Sequence, residues 1–212
     1  MQILNQIADR LEQGEDAQVD ELTRQAVGQG VPAADILNRG LLAGMEVVGR
    51  KFRDHEIFLP DVLLAAKAMY AGLAHLKPLL VADQVPSKGK VVIGSVQGDL
   101  HDIGKNLVGI MLEGAGFEVV DLGSDVPASR FVDAAVERGA PVIGMSALLT
   151  TTMSVMKDVI NLIRERGLSD QLRTIIGGAP VSADFARDIG ADAYGFDAAN
   201  AVERVKDLVA AA

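Results

Sequence analysis

One histidine in this chain has the neighbours that metal chemistry needs. His101 lies in the stretch Gly94-Ser-Val-Gln-Gly-Asp-Leu-His-Asp-Ile-Gly104, with Asp99 two residues before it and Asp102 directly after it. A carboxylate that takes one ring N–H of an imidazole fixes the tautomer and makes the other nitrogen a better metal ligand. His55, in the charged run Arg53-Asp-His-Glu56, and His75, inside a helical pattern, have no such setting. Zinc takes three or four protein ligands, and neither a second histidine nor any cysteine lies near His101. What one histidine can supply is an axial ligand to a metal whose other positions are filled by a macrocycle, as in haem or a corrin. Composition and spacing lead to a one-histidine macrocycle site or a site for a ligand with a nucleotide tail, and they leave the metal open. The competing reading is structural, with Asp102 capping a helix and His101 filling a turn.

The flanking segments must position that turn. Residues 90–96 hold Val91, Val92 and Ile93 in succession, the apolar run of a strand buried on both faces. Ile103, Leu107, Ile110, Met111 and Ala115 then recur at helical spacing before Gly116, which predicts a helix stopped by a glycine. The alternation continues with strands at 118–122, 142–146, 174–176 and 193–196, and helices at 128–139, 152–166, 183–189 and from 198 onward. Right-handed crossovers then predict an α/β fold, a flavodoxin-like (Rossmann-type) doubly wound five-stranded parallel sheet in the order 2-1-3-4-5. Its ligand crevice opens where the winding reverses, between strands one and three. The loop carrying His101, the run Ser146-Ala-Leu-Leu-Thr-Thr-Thr152 and the neighbouring Gly177-Gly178-Ala-Pro180 converge there. The hydroxyls can bind a polar tail, and the paired glycines leave room for a ligand against the backbone.

The first 80 residues read differently. Amphipathic spacing predicts helices at 1–13, 16–28 and 32–52, and Phe58-Leu-Pro-Asp61 opens a fourth with Val62, Ala65, Met69, Leu73 and Leu76 as its buried stripe. Four helices with short connections predict a four-helix bundle over 1–82. Residues 81–89, with Pro86, Ser87 and Gly89, have linker composition, which makes 90–212 the second domain. Gly40, Gly44 and Gly49 weaken the third helix by up to about 1 kcal/mol each relative to alanine. They point to close approach by a neighbouring helix or a ligand. Phe58 is an aromatic at the mouth of a loop in a chain with few aromatics, unless it is simply an N-terminal staple.

The net charge of −9 repels phosphate backbones and anionic lipid, which argues against nucleic acid as a partner. The absence of cysteine excludes disulfides, thiolate zinc sites and cysteine-ligated iron–sulfur clusters. No apolar run is long enough to cross a bilayer, and residues 1–12 lack a signal-peptide core, so the expected location is cytoplasmic, away from membranes.

Asp99-Leu-His101-Asp-Ile-Gly104, followed by Ser146-Ala-Leu148 and Gly177-Gly178, resembles the Asp-x-His-x-x-Gly, Ser-x-Leu, Gly-Gly signature of cobalamin-binding domains. Gly44-Met-Glu-Val-Val-Gly49 and Phe58-Leu-Pro-Asp61 resemble the helical cap that precedes this domain in methionine synthase and in the corrinoid proteins of methyltransferase systems. The resemblance implies a cobalamin or related corrinoid bound base-off and His-on, with His101 as the lower axial ligand of cobalt. It implies that Asp99 holds His101 and passes the interaction to Thr152, where methionine synthases have serine. Gly98, Asp102, Ile103, Gly104 and Leu148 count among the cofactor-binding residues it implies. Ser146 would bond the base of the nucleotide tail, Gly177 and Gly178 would line its path, Thr150 would lie near the lower corrin face, and Phe58 would cover the upper one. The implied chemistry is methyl transfer by cobalt cycling between Co(I) and a methylated state. The implied partners are a substrate methyltransferase, an acceptor methyltransferase and a reductive activator.

Other classes share parts of this pattern. An adenosylcobalamin mutase subunit has the histidine signature but no need of a helical cap. A cobalamin-based light sensor or repressor should carry a basic DNA-binding module. A flavodoxin-like signalling domain explains the sheet and leaves the His-centred turn unexplained.

Overall fold

The computed structural model describes residues 2–82 and 87–210, so residues 83–86 of the predicted linker 81–89 lie outside the described part, as do residues 1, 211 and 212. The chain divides into two compact units, one helical and one α/β.

In the helical unit, α1 (Gln2–Glu12) buries Leu4, Ile7 and Leu11, and α2 (Asp16–Gly28) buries Val19 and Ala26. The predicted third helix is not continuous. It runs as α3 (Ala33–Ile36), a π-helical turn (Leu37–Leu41) and α4 (Leu42–Arg53). Ile36 and Leu41 are both fully buried, although an unbroken α-helix would set residues five apart about 140° from each other. The wider turn brings both to the core. Two of the three glycines of this region answer to α1: a Cβ on Gly40 would stand 3.1 Å from Ile7 Cγ2, and one on Gly44, in α4, would stand 2.8 Å from the Ala8 carbonyl oxygen. A neighbouring helix is what approaches closely. His55, at φ 59°, ends α4 as a left-handed cap residue, with its N–H donating to the Phe52 carbonyl and the Glu56 N–H to that of Lys51. In α5 (Leu59–Ala82), Val62, Ala65, Met69 and Leu76 of the predicted stripe are buried, and Leu73 is half-buried.

In the α/β unit, β1 (Lys90–Ser95), β2 (Glu118–Asp121), β3 (Val142–Ser146), β4 (Arg173–Gly177) and β5 (Ala193–Gly195) pair in parallel in the order β2-β1-β3-β4-β5. This is the predicted order. The helices between them are α6 (Ile103–Gly114), α7 (Ala128–Arg138), α8 (Ser154–Glu165) and α9 (Ala183–Ile189), and α10 (Ala198–Ala210) closes the unit. Val92, Ile143 and Ile176 of the sheet share a core with Phe131 and Val132 of α7 and Met156, Val159 and Ile160 of α8. Residues 152–153, expected to begin a helix, belong instead to a turn over 150–153, and α8 starts at Ser154. Ile103 was expected in the buried stripe of α6, yet it is 73% exposed while Met111 and Leu112 are buried. Among the described residues no helix is long and apolar enough to cross a membrane.

Candidate functional site

Strand register brings the candidate residues to one edge of the sheet. Ser95 pairs with Ser146, and Ser146 with Gly177, so the loops after β1, β3 and β4 leave from the same level. Ligands of open parallel sheets bind at this carboxyl edge.

Asp99 is the hub of those loops. Its side chain is fully buried and accepts five hydrogen bonds. Oδ1 takes the His101 backbone N–H at 3.0 Å and His101 Nδ1 at 2.7 Å. Oδ2 takes the backbone N–H groups of Leu148 at 2.7 Å and Leu149 at 3.1 Å, and lies 3.1 Å from the Thr152 hydroxyl. Burial pushes the Asp99 carboxyl up, but the bonds from Leu148, His101 and Leu149 outweigh it and hold the group well below the usual carboxylate range. An ionised carboxylate can only accept, so the proton of this contact sits on His101 Nδ1, which in the neutral imidazole leaves the lone pair on Nε2. The His101 side chain is 53% exposed, which leaves Nε2 accessible.

Thr152 is itself buried, and its hydroxyl lies 2.8 Å from the Leu149 carbonyl as well as 3.1 Å from Asp99. One hydroxyl proton serves two acceptors, the Leu149 carbonyl being the nearer. Around the imidazole, Leu100, Ile103, Leu148 and Leu149 are between 41% and 73% exposed. Asp102 opens α6 through its carbonyl, which accepts from the Asn106 N–H at 2.7 Å. Thr150 is exposed and Ser146 half-buried.

The glycines divide by purpose. At Gly178, φ is +126° and a Cβ would stand 1.8 Å from the Ala147 carbonyl oxygen, so this glycine lets the loops after β3 and β4 pass each other. Sequence reading expected a ligand there. At Gly104 a Cβ would meet nothing within 4 Å, so no packing inside the chain requires glycine. Phe58 belongs to the helical unit, where it caps α5: its N–H donates to Asp61 Oδ2 at 2.9 Å and its ring is 66% exposed, not packed as a staple.

Residues 89–206 match the B12 binding domain family, and residues 3–77 match a second family of the same description. The chain belongs to the B12-binding corrinoid proteins. It is 44% identical over 210 residues to the dimethylamine corrinoid protein of Methanosarcina barkeri, covering 99% of this chain and 98% of the relative. It is 43% identical over 212 residues to a corrinoid protein of Desulfitobacterium hafniense, covering 99% and 98%. Among solved structures it resembles the methanol:cobalamin methyltransferase complex of M. barkeri, with a TM-score of 0.90 at 34% identity over 100% of this chain and 81% of that one. A cobalamin-binding protein of D. hafniense gives 0.79 at 31% identity, covering 97% and 98%.

The residues present fit the cofactor of this family, cobalamin or a related corrinoid. The accessible Nε2 suits a metal held by a macrocycle, the exposed leucines and Ile103 suit an apolar ring face, and the open space at Gly104 obstructs neither. Among the described residues no group of three or more His, Cys, Asp or Glu side chains could hold a bare metal ion.

Three residues of this region escaped the sequence reading. Ser95 is fully buried and its hydroxyl donates to the His101 carbonyl at 2.6 Å. Lys105, also buried, reaches Asn106 Oδ1 at 2.7 Å and pairs with Asp121. Asp125 accepts the Gly98 N–H at 2.7 Å. A polar residue in the first turn of a helix after a strand hints at the lysine; nothing local marks the other two.

Proposed function

We propose that this chain is a methyl carrier: it holds a corrinoid base-off, with His101 as the lower axial ligand, and presents it in turn to a methyltransferase that loads the methyl group and one that removes it. When bound, the corrinoid supplies a cobalt centre that accepts and releases the methyl group. The observation that carries this reading is the imidazole itself, tied at Nδ1 to a fully buried, hydrogen-bonded Asp99 and free at Nε2 amid exposed apolar side chains.

The protein's own groups then have defined tasks. Asp99 fixes the ring direction and keeps the proton on Nδ1, which strengthens Nε2 as a donor. Thr152 steadies Asp99 Oδ2. Ser146 bonds the nucleotide tail, Gly177 and Gly178 shape its path, and Gly98, Asp102, Ile103, Gly104, Leu148 and Thr150 line the lower corrin face. Residues 1–82 are assigned as the cap domain and 90–212 as the corrinoid domain, with Phe58 as the cap's residue for the bound corrinoid. A reductive activator is the third partner this reading calls for. The donor is chosen by the loading partner, since relatives at 44% identity are named for both dimethylamine and trimethylamine and the structure at 34% for methanol.

The test is the Co(II) electron paramagnetic resonance spectrum of the reconstituted protein, using a corrinoid whose nucleotide base has been removed. Nitrogen coupling in the wild type that disappears in His101→Ala supports the reading. A spectrum indifferent to the substitution refutes it.

A further inference from the structure

The loop after β2, residues 122–126, is laid along the end of β1 and reaches the His101 loop through Asp125. Leu122 N–H donates to the Ile93 carbonyl at 2.8 Å, Ser95 N–H to that of Gly123 at 2.9 Å, and Val126 N–H to that of Ser95 at 3.0 Å. Asp125 makes the contacts nearest the ligand residues. Its side chain accepts the Gly98 N–H at 2.7 Å, and its own N–H donates to the Asp99 carbonyl at 3.0 Å. Gly98 and Asp99, three and two residues before the imidazole, are thus held by their backbones from the β2 side, while Oδ2 of the Asp99 carboxylate is held from the β3 side. Asp125 does this at φ 57°, a left-handed conformation that few residues with a side chain adopt. A non-glycine kept there serves its contacts rather than its own backbone preference. Gly98, its partner, is also left-handed at φ +84°.

We infer that Asp125 is a positioning residue for His101, because it clamps the Gly98–Asp99 backbone from which the imidazole is aimed. The inference rests on the reading of His101 as the corrinoid ligand. Asp125→Gly keeps the left-handed backbone and removes the acceptor, so it separates the clamp from the strain. Asp125→Asn retains an acceptor oxygen in a residue that tolerates this conformation.

The test uses the full chain in two states. Without corrinoid, amide hydrogen exchange at Gly98 is followed by NMR; it accelerates in Asp125→Gly and is restored in Asp125→Asn. With cob(II)alamin, Asp125→Gly binds about tenfold more weakly, at the low end for a residue that acts through a metal ligand, with a smaller fraction showing imidazole nitrogen coupling. Asp125→Asn recovers both. Wild-type affinity and coupling in Asp125→Gly, despite a deprotected Gly98 amide, overturn the positioning role. Unchanged exchange at Gly98 overturns the clamp itself. Failure of the His101 reading shows separately, as coupling that survives in His101→Ala while the Gly98 exchange still responds to Asp125.

Discussion

His75 Nε2 stands 2.8 Å from Asp20 Oδ1 between α5 and α2, and His101 Nδ1 stands 2.7 Å from Asp99 Oδ1 in the loop after β1. The rings and distances are alike, but the Asp20 side chain is 50% exposed and that of Asp99 is not exposed at all. Water can replace His75 as the partner of Asp20 at little cost, so that pair has the modest value of a surface ion pair. Asp99 has traded its water for donors from two loops. The comparison teaches that a His–Asp pair acquires a fixed direction from what holds the carboxylate, not from the contact between the two side chains.

The widest separation between the two pairs is expected on removing each carboxylate. Asp99→Ala strands the N–H groups of Leu148, Leu149 and His101 and should cost about 3–5 kcal/mol by chemical denaturation, whereas Asp20→Ala should cost within about 1 kcal/mol. Equal losses would break the comparison. Histidine removal inverts the emphasis: His101→Ala should cost little stability, because its side chain is half exposed, yet abolish nitrogen coupling to the bound corrinoid. His75→Ala should leave corrinoid binding intact, as titration would show.

Acid sharpens the contrast further. Because folding lowers the Asp99 pKa, its ionised form contributes stability that is fully present above the unfolded-state value of about 3.9 and is lost progressively as pH falls below it. Denaturation midpoints of Asp99→Asn should therefore fall less steeply than those of the wild type below pH ~4. The smallest effect is expected at Thr152. Thr152→Val should cost about 1 kcal/mol for the lost hydroxyl contacts, and Thr152→Ser should be near neutral, since four of the five bonds to Asp99 come from elsewhere.

The parts of the molecule legible in sequence are those written locally. Val91-Val92-Ile93 announces a two-sided strand, and the strand–helix alternation prescribes the sheet order. Asp99, His101, Leu148 and Thr152 are brought together because the strand ends that carry them are neighbours. Periodicity failed at Ile103, where an apolar residue in phase with a helix face is exposed beside the site. It failed again at residues 37–41, because a π turn changes the spacing on which the reading depends. The paired glycines read from sequence as a place for a ligand to approach the backbone, and only the structure shows that Ala147 lies against Gly178. Ser95 and Asp125 act through contacts with backbone atoms, and no residue type advertises those.

The bonds from Leu148 and Leu149 to Asp99 span 49 and 50 residues of sequence. Contacts of that range close late, after the entropy of a long loop has been met. A growing chain therefore has β1 and the imidazole well before it has the β3 loop that anchors the Asp99 side chain. The histidine acquires its aim only when about half the α/β unit has emerged, so the competence to take up cofactor is a property of the assembled strands rather than of the motif that encodes it.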